Sequence, residues 1–184
     1  MRRWPHCGPS PAIAERHVVI RSGETIVRDP VVSERWLDDW RAGEVLETEP
    51  YEISQERIIG FANEFDPQLF HTDPEGAKDT IYGGLIASGW HSGSIMMRLL
   101  STFLGEASMG SPGVEELRWL APVRPRDLLR LRVHVDAVTL SRSKPDRGVV
   151  TVDKELINQH DAVVMTMTAA LLMRRRPTIA DSTV

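Results

Sequence analysis

Between Leu129 and Ala137 the chain alternates without a break. Leu129, Leu131, Val133, Val135 and Ala137 are apolar, and Arg130, Arg132, His134 and Asp136 between them are polar or charged. Successive side chains of a strand point to opposite faces, so strict period two predicts a strand with one face in a core and one in water. Val150, Val152 and Leu156 continue the pattern more loosely, and Val163, Met165, Met167, Ala169 and Leu171 form another alternating set. Leu117, Trp119 and Ala121 predict one more strand before Pro122, while Ser141 to Gly148 is a turn-rich connection. A sheet with one apolar face needs a second layer to cover it.

That layer is legible in the first half of the chain. After Gly83-Gly84, Leu85, Ile86, Ile95, Met96, Leu99, Leu100 and Phe103 recur at helical spacing around much of a helix circumference, which predicts a long buried helix. Gly89 and Gly93 lie on one face of it and admit close approach by a strand. Upstream, Glu44 to Glu49 reads as a short strand bounded by Gly43 and Pro50. Ser54 is a natural N-cap for a helix carrying Ile58, Ile59, Ala62 and Phe65, and Asp66-Pro67 ends that helix. Asp73-Pro74-Glu75 predicts another helix start, with Asp73 as its cap. The order is strand, helix, loop, long helix and then antiparallel strands, an α+β layering. Residues 1–33 are rich in proline and arginine without either period and predict a disordered or extended arm. Residues 34–176 form the domain, and 177–184 a tail.

Composition narrows the function classes. A chain of 184 residues, 41% hydrophobic, can bury a core without staples. The net charge of -4 gives no cause to expect nucleic acid. Cys7 is the single cysteine, which excludes an intrachain disulfide and a cysteine zinc site and fits a cytoplasmic location. Arg2-Arg3 is followed by Pro9, Pro11, Glu15 and Arg16 rather than an apolar run, and the apolar stretch Ala162 to Met173 is too short to cross a bilayer. A soluble protein without membrane contact is expected. His6, His17, His134 and His160 are too scattered for a metal site.

The chemistry concentrates in Phe61-Ala62-Asn63-Glu64-Phe65-Asp66-Pro67-Gln68-Leu69-Phe70-His71-Thr72-Asp73-Pro74. A carboxylate and an imidazole stand five residues apart across a proline. A continuous helix would place them on different sides, whereas a bend at Pro67 can bring both to one point. Alone, the pair also reads as a turn residue and a structural histidine.

This stretch resembles the hydratase motif of the MaoC-like family, a carboxylate followed five residues later by histidine. Tyr82-Gly83-Gly84-Leu85-Ile86-Ala87-Ser88-Gly89-Trp90-His91 resembles that family's glycine-rich lead-in to its central helix. Gly113 to Trp119 and Pro122 to Asp127 match further blocks, so the similarity runs from about Trp36 to Arg176. The resemblance implies a hot-dog fold, a curved antiparallel sheet wrapped around one long helix. It implies a hydro-lyase of the (R)-specific enoyl-CoA hydratase type, in which water adds across the 2,3 double bond of an acyl thioester.

Hydration needs a base for the water, a proton for the α-carbon and a partner for charge on the thioester oxygen. Asp66, ionised, is expected as the base, with His71 positioning the water and relaying the proton. By resemblance the oxyanion donor is the N–H of Gly89, at a helix N-terminus. Asn63, Gly84, Ser88 and Trp90 are expected to contact substrate, with Met96 and Met97 as further wall residues and His91 as structural. Arg142, Lys144 and Arg147 form a basic loop in which Arg142 and Arg147 suit the phosphates of coenzyme A. Coenzyme A would enter as part of the substrate, with no separate cofactor. A homodimer joined edge to edge is expected. Two alternatives stay open: a hot-dog thioesterase, and a non-catalytic subunit that binds acyl thioesters.

Overall fold

In a computed structural model, residues 35–177 are described in full, and residues 17–21 and 24–28 by their backbone alone. The remainder of the expected arm and residues 178–184 of the expected tail lie outside the described residues. Within the arm, β1 (His17–Arg21) and β2 (Glu24–Arg28) pair antiparallel, and β2 lies parallel to β3 (Val45–Glu47). This part of the arm is therefore extended and joins the sheet. The short β4 (Tyr51–Glu52) pairs with the start of β6.

Beyond β3 come β5 (Val114–Trp119), β6 (Leu128–Leu140), β7 (Arg147–Ile157) and β8 (Val163–Arg174). The spatial order is β1-β2-β3-β6-β7-β8-β5, and every pairing except β2 with β3 is antiparallel. Leu129, Leu131, Val133 and Val135 all face the core, as their spacing predicts. The alternation does not run through to Ala137. Asp136 is skipped in the ladder, since Val135 pairs with Val152 and Ala137 with Thr151. This bulge resets the faces, and Val138, not Ala137, next packs against the core.

Helix α1 (Gln55–Phe65) starts at Ser54, whose hydroxyl accepts the Arg57 N–H. It buries Ile58 and Ala62, one turn apart. The helix stops at Asp66, as Pro67 dictates, and a single turn, α2 (Leu69–Thr72), follows. The helix expected after Asp73-Pro74 is only a 3-10 turn at Gly76–Asp79. Asp73 spends its carboxylate on the Glu75 N–H, a local bond that favours a turn over a helix.

The long helix α3 (Gly89–Leu104) lies on the apolar face of the sheet. Its Met96, Leu100 and Phe103 are at most 1% exposed and share one core with Leu131, Val133, Val152 and Met165. Gly105 ends it with φ 47°, a conformation that L side chains resist. Leu85 and Ile86, expected inside this helix, precede it. They belong to an extended, buried strap, residues 85–88, held by Ile86 N–H to Phe70 C=O (3.0 Å) and Ala87 N–H to Val123 C=O (2.8 Å). Among the described residues no helix is long and apolar enough to cross a membrane.

One tight packing point tests this layering. A Cβ on Gly148 of β7 would press on the Thr139 carbonyl oxygen and lie 2.7 Å from Leu37 Cδ2. Gly148→Ala should therefore destabilise the protein by about 1–3 kcal/mol, read as a lower denaturation midpoint. An unchanged midpoint would show that the segment holding Leu37 is not packed on β7.

Candidate active site

The strap at 85–88 and the bend at Pro67 converge at the N-terminus of α3. Ser88 caps that helix, its Oγ accepting the Trp90 N–H at 3.2 Å. The same hydroxyl donates its proton to Asp66 Oδ2 at 2.7 Å. Gln68 Nε2 donates to Asp66 Oδ1 at 2.8 Å, so both carboxylate oxygens hold a donor. His71 is buried, and its Nε2 stands 3.4 Å from Asp66 Oδ2. The bend does what the spacing suggested and faces the two groups toward each other.

The tautomer of His71 follows from its other nitrogen. Nδ1 lies 2.8 Å from the Ile86 carbonyl oxygen, which can only accept, so Nδ1 carries the proton. In the neutral ring the other nitrogen, Nε2, is unprotonated, and its lone pair is turned toward the carboxylate. Two acceptors at that separation do not bond directly, but a water beside them can donate to both.

The donated bonds from Ser88 and then Gln68 hold the Asp66 carboxyl below its ordinary value of 3.8, against a smaller opposing effect of burial, with the nearby His71 adding to the lowering. Asp66 is thus an anion throughout the neutral range. A carboxyl depressed on folding adds stability above its unfolded pKa and loses it as pH falls through its folded one.

Gly89, the first residue of α3, points its N–H out of the helix, and among the described residues no protein acceptor takes it. The indole of Trp119, at the end of β5, lies against it. Trp119 Nε1–H donates to the Gly89 carbonyl at 2.9 Å, and a Cβ on Gly89 would sit 2.5 Å from the ring. Trp90 packs edge-on to Trp119 with ring centroids 5.4 Å apart. These groups open on a cleft of about 530 Å3, walled by Phe70, Tyr82, Trp90 and Trp119 and floored by Ala87 and Val123.

The expected residues sort cleanly. Asp66, His71, Gly89 and Trp90 line the cleft, and Ser88 holds Asp66 from beneath rather than contacting its contents. Gly84 stands outside, with Arg124 Nη1 3.5 Å from where its Cβ would be. Asn63 is exposed on α1 and stays outside as well, because that helix turns Ile58 and Ala62 inward and Asn63 away. Met96 is fully buried in the core and Met97 faces outward, so neither is a wall. His91 is structural: its ring stacks on Phe61 at 4.5 Å, and burial with the charge of Arg57 pushes its pKa down to about 4.

Arg142 and Arg147 lie on the β6–β7 hairpin, at the far end of α3 from Gly89. Leu37 packs on Gly148 at that end, and Arg35 N–H bonds the Phe103 carbonyl there. Within one chain these arginines are a helix length away, about 24 Å, from the cleft. Sequence reasoning missed Gln68, Trp119 and the Ile86 carbonyl. Only Trp119 carried a signal, as a large aromatic at the end of an edge strand. Among the described residues no group of three or more His, Cys, Asp or Glu side chains converges as a metal site requires.

Residues 40–159 match the family model described as MaoC like domain. The chain belongs to the MaoC-like family. It is 29% identical over 141 residues to the uncharacterized protein YdeM of Bacillus subtilis, a span of 76% of this chain and 99% of that one. A solved MaoC-like dehydratase from Rhodospirillum rubrum shares 40% identity at a TM-score of 0.72, covering 78% of this chain and 99% of its own. The R-hydratase PhaJ1 of Pseudomonas aeruginosa, in its unliganded form, superposes with a TM-score of 0.63 at 22% identity, over 77% and 86% of the two chains. That last likeness is one of fold, and the MaoC-like chain shares with these structures the hot-dog arrangement of sheet and central helix.

The Ser88 bond gives a direct test. In Ser88→Ala the Asp66 carboxyl should titrate at higher pH than in the wild type, read by carbon-detected NMR. An unchanged midpoint would show that Ser88 does not hold the carboxylate.

Proposed function

We propose that this MaoC-like chain is an (R)-specific hydro-lyase, adding water to, or removing it from, the 2,3 double bond of an enoyl-CoA or related acyl thioester. The observation that carries the reading is the Asp66 carboxylate and the His71 Nε2 lone pair, 3.4 Å apart beside a free helix N–H. A water donating one hydrogen to each acceptor turns its own lone pair outward, toward the β-carbon of a bound enoyl group. As the C–O bond forms, the O–H bond to His71 breaks and Nε2 takes that proton. The double-bond electrons move toward the thioester oxygen, where the Gly89 N–H receives the charge, a contribution on the order of 3 kcal/mol in comparable sites. The α-carbon then takes the proton from His71, and one water has been added.

This divides the labour differently from the expectation with Asp66 as base. Donors on both of its oxygens weaken Asp66 as a proton acceptor. It serves better as the fixed anion that orients the water and stabilises the imidazolium. His71, whose Nδ1–H is committed to Ile86, is the group with a lone pair to offer.

The purified protein should hydrate crotonyl-CoA or a longer homologue, with loss of absorbance at the enoyl thioester band. Asp66→Asn should lower kcat by roughly 10²–10⁴ while remaining folded. Full activity in that variant, or release of free CoA from a saturated acyl-CoA in place of hydration, would contradict the reading.

The same reading includes a homodimer. Strand β5 is the outer strand beside β8, and Val114, Trp119 and Leu120 near it are about half exposed, as is Trp90 on the adjoining helix face. Pairing two β5 edges about a two-fold axis would cover them and wall the cleft from its open side. Sedimentation at micromolar concentration should give twice the chain mass; a monomer would refute the assembly.

A further inference from the structure

A second cleft lies at the other end of the molecule. Its volume is about 570 Å3, and four of its lining residues are arginines: Arg147, Arg174, Arg175 and Arg176, set against Trp36 and Asp146. The catalytic cleft, by contrast, is lined by no lysine or arginine among the described residues. Three of the four arginines are tied to carboxylates: Arg147 to Asp146 (2.7 Å), Arg175 to Asp38 (2.9 Å) and Arg176 to Asp39 (2.7 Å). Arg174 is exposed and has no such partner among the described residues. Arg142 and Lys144, on the adjoining hairpin, are likewise exposed without an ion pair. Among the described residues, six cationic side chains thus stand with three anionic ones at this tip of a chain whose net charge is -4.

The placement of two of these charges runs against stability. Arg147 on β7 and Arg174 on β8 are direct cross-strand partners. Like charges directly opposite each other weaken an antiparallel pair. The arrangement makes physical sense when a compact polyanion sits between them. A carboxylate brings one charge, whereas a phosphoanhydride brings two or three on oxygens that match the guanidinium fork. The ion pairs with Asp38 and Asp39 hold the arginine stems in place around the cavity and leave other N–H groups to donate.

We propose that this cleft is a binding site for a diphosphate-bearing ligand, with Arg147 and Arg174 as its principal anion contacts. Two sources carry that chemistry: the diphosphate of a coenzyme A thioester, whose acyl end would occupy a partner copy's catalytic cleft, or a free phosphorylated metabolite.

Titration calorimetry on the full chain at low salt, with inorganic pyrophosphate and with ADP as probes, tests the site. The wild type should bind one pyrophosphate per chain, more weakly as ionic strength rises. Arg174→Gln, which breaks no ion pair among the described residues, should lose roughly tenfold in affinity. Asp146→Asn, which removes the one carboxylate lining the cleft, should bind more tightly. Absence of pyrophosphate binding in the wild type at millimolar concentration, or equal binding by Arg174→Gln, would overturn the proposal. Kinetics separate the sources. A KM raised for crotonyl-CoA in Arg174→Gln, but not for the crotonyl thioester of N-acetylcysteamine, assigns the site to the substrate's own diphosphate. Unchanged KM values with weakened pyrophosphate binding assign it to a free ligand. The calorimetry requires no turnover, so an inert protein would leave this site standing, and a failed titration would leave the hydro-lyase reading untouched.

Discussion

The Ser88 hydroxyl joins two parts of the molecule that the chain itself leaves 22 residues apart. With its lone pair it caps α3, and with its proton it fixes the Asp66 carboxylate at the end of α1. It is fully buried, so neither bond competes with water. The carboxylate and the helix mouth that carries the Gly89 N–H are consequently tied together through one side chain. The strap before Ser88 contributes from the same stretch of backbone, because its Ile86 carbonyl fixes the tautomer of His71. A few consecutive residues thus set the position of the Asp66 carboxylate, the tautomer of His71 and the direction of the Gly89 amide.

Much of this arrangement was legible in the residues, and the rest was hidden for physical reasons. The proline after Asp66 forces a helix end wherever it occurs, so the bend that faces Asp66 toward His71 could be anticipated. Strict alternation marked Leu129 to Val135 as a core strand, yet the bulge at Asp136 was hidden because Ala137 and Val138 are both apolar, so either could be read as the next inward residue. Leu85 and Ile86 looked like a helix start because a buried extended strap and a buried helix turn need the same apolar residues. The Ile86 carbonyl is backbone and has no sequence signature. Trp119 reaches Gly89 across 30 positions, a contact set by sheet order and not by any local pattern. The basic hairpin could be recognised as charged, but its location at the far end of α3 depends on how β6 runs along the helix.

The structure separates three kinds of surface. Acid-base groups sit at the N-terminal end of α3, in a cleft whose walls are aromatic. Cationic groups gather beyond its C-terminal end. Apolar side chains are left half exposed along β5, the outer strand that borders the cleft at the helix mouth. Antiparallel pairing of two such edges would reverse one chain against the other, bringing the basic tip of one toward the cleft end of its partner.

In the proposed mechanism one water, held on one face of the substrate by Asp66 and His71, supplies both the hydroxyl and the proton. Hydration of crotonyl-CoA in deuterium oxide, followed by NMR analysis of the 3-hydroxybutyryl product, reads this directly. Delivery from one face places the hydroxyl and the deuterium on the same side of the former double bond. Anti addition would mean that the two arrive from opposite faces, and the shared water between Asp66 and His71 would have to be abandoned.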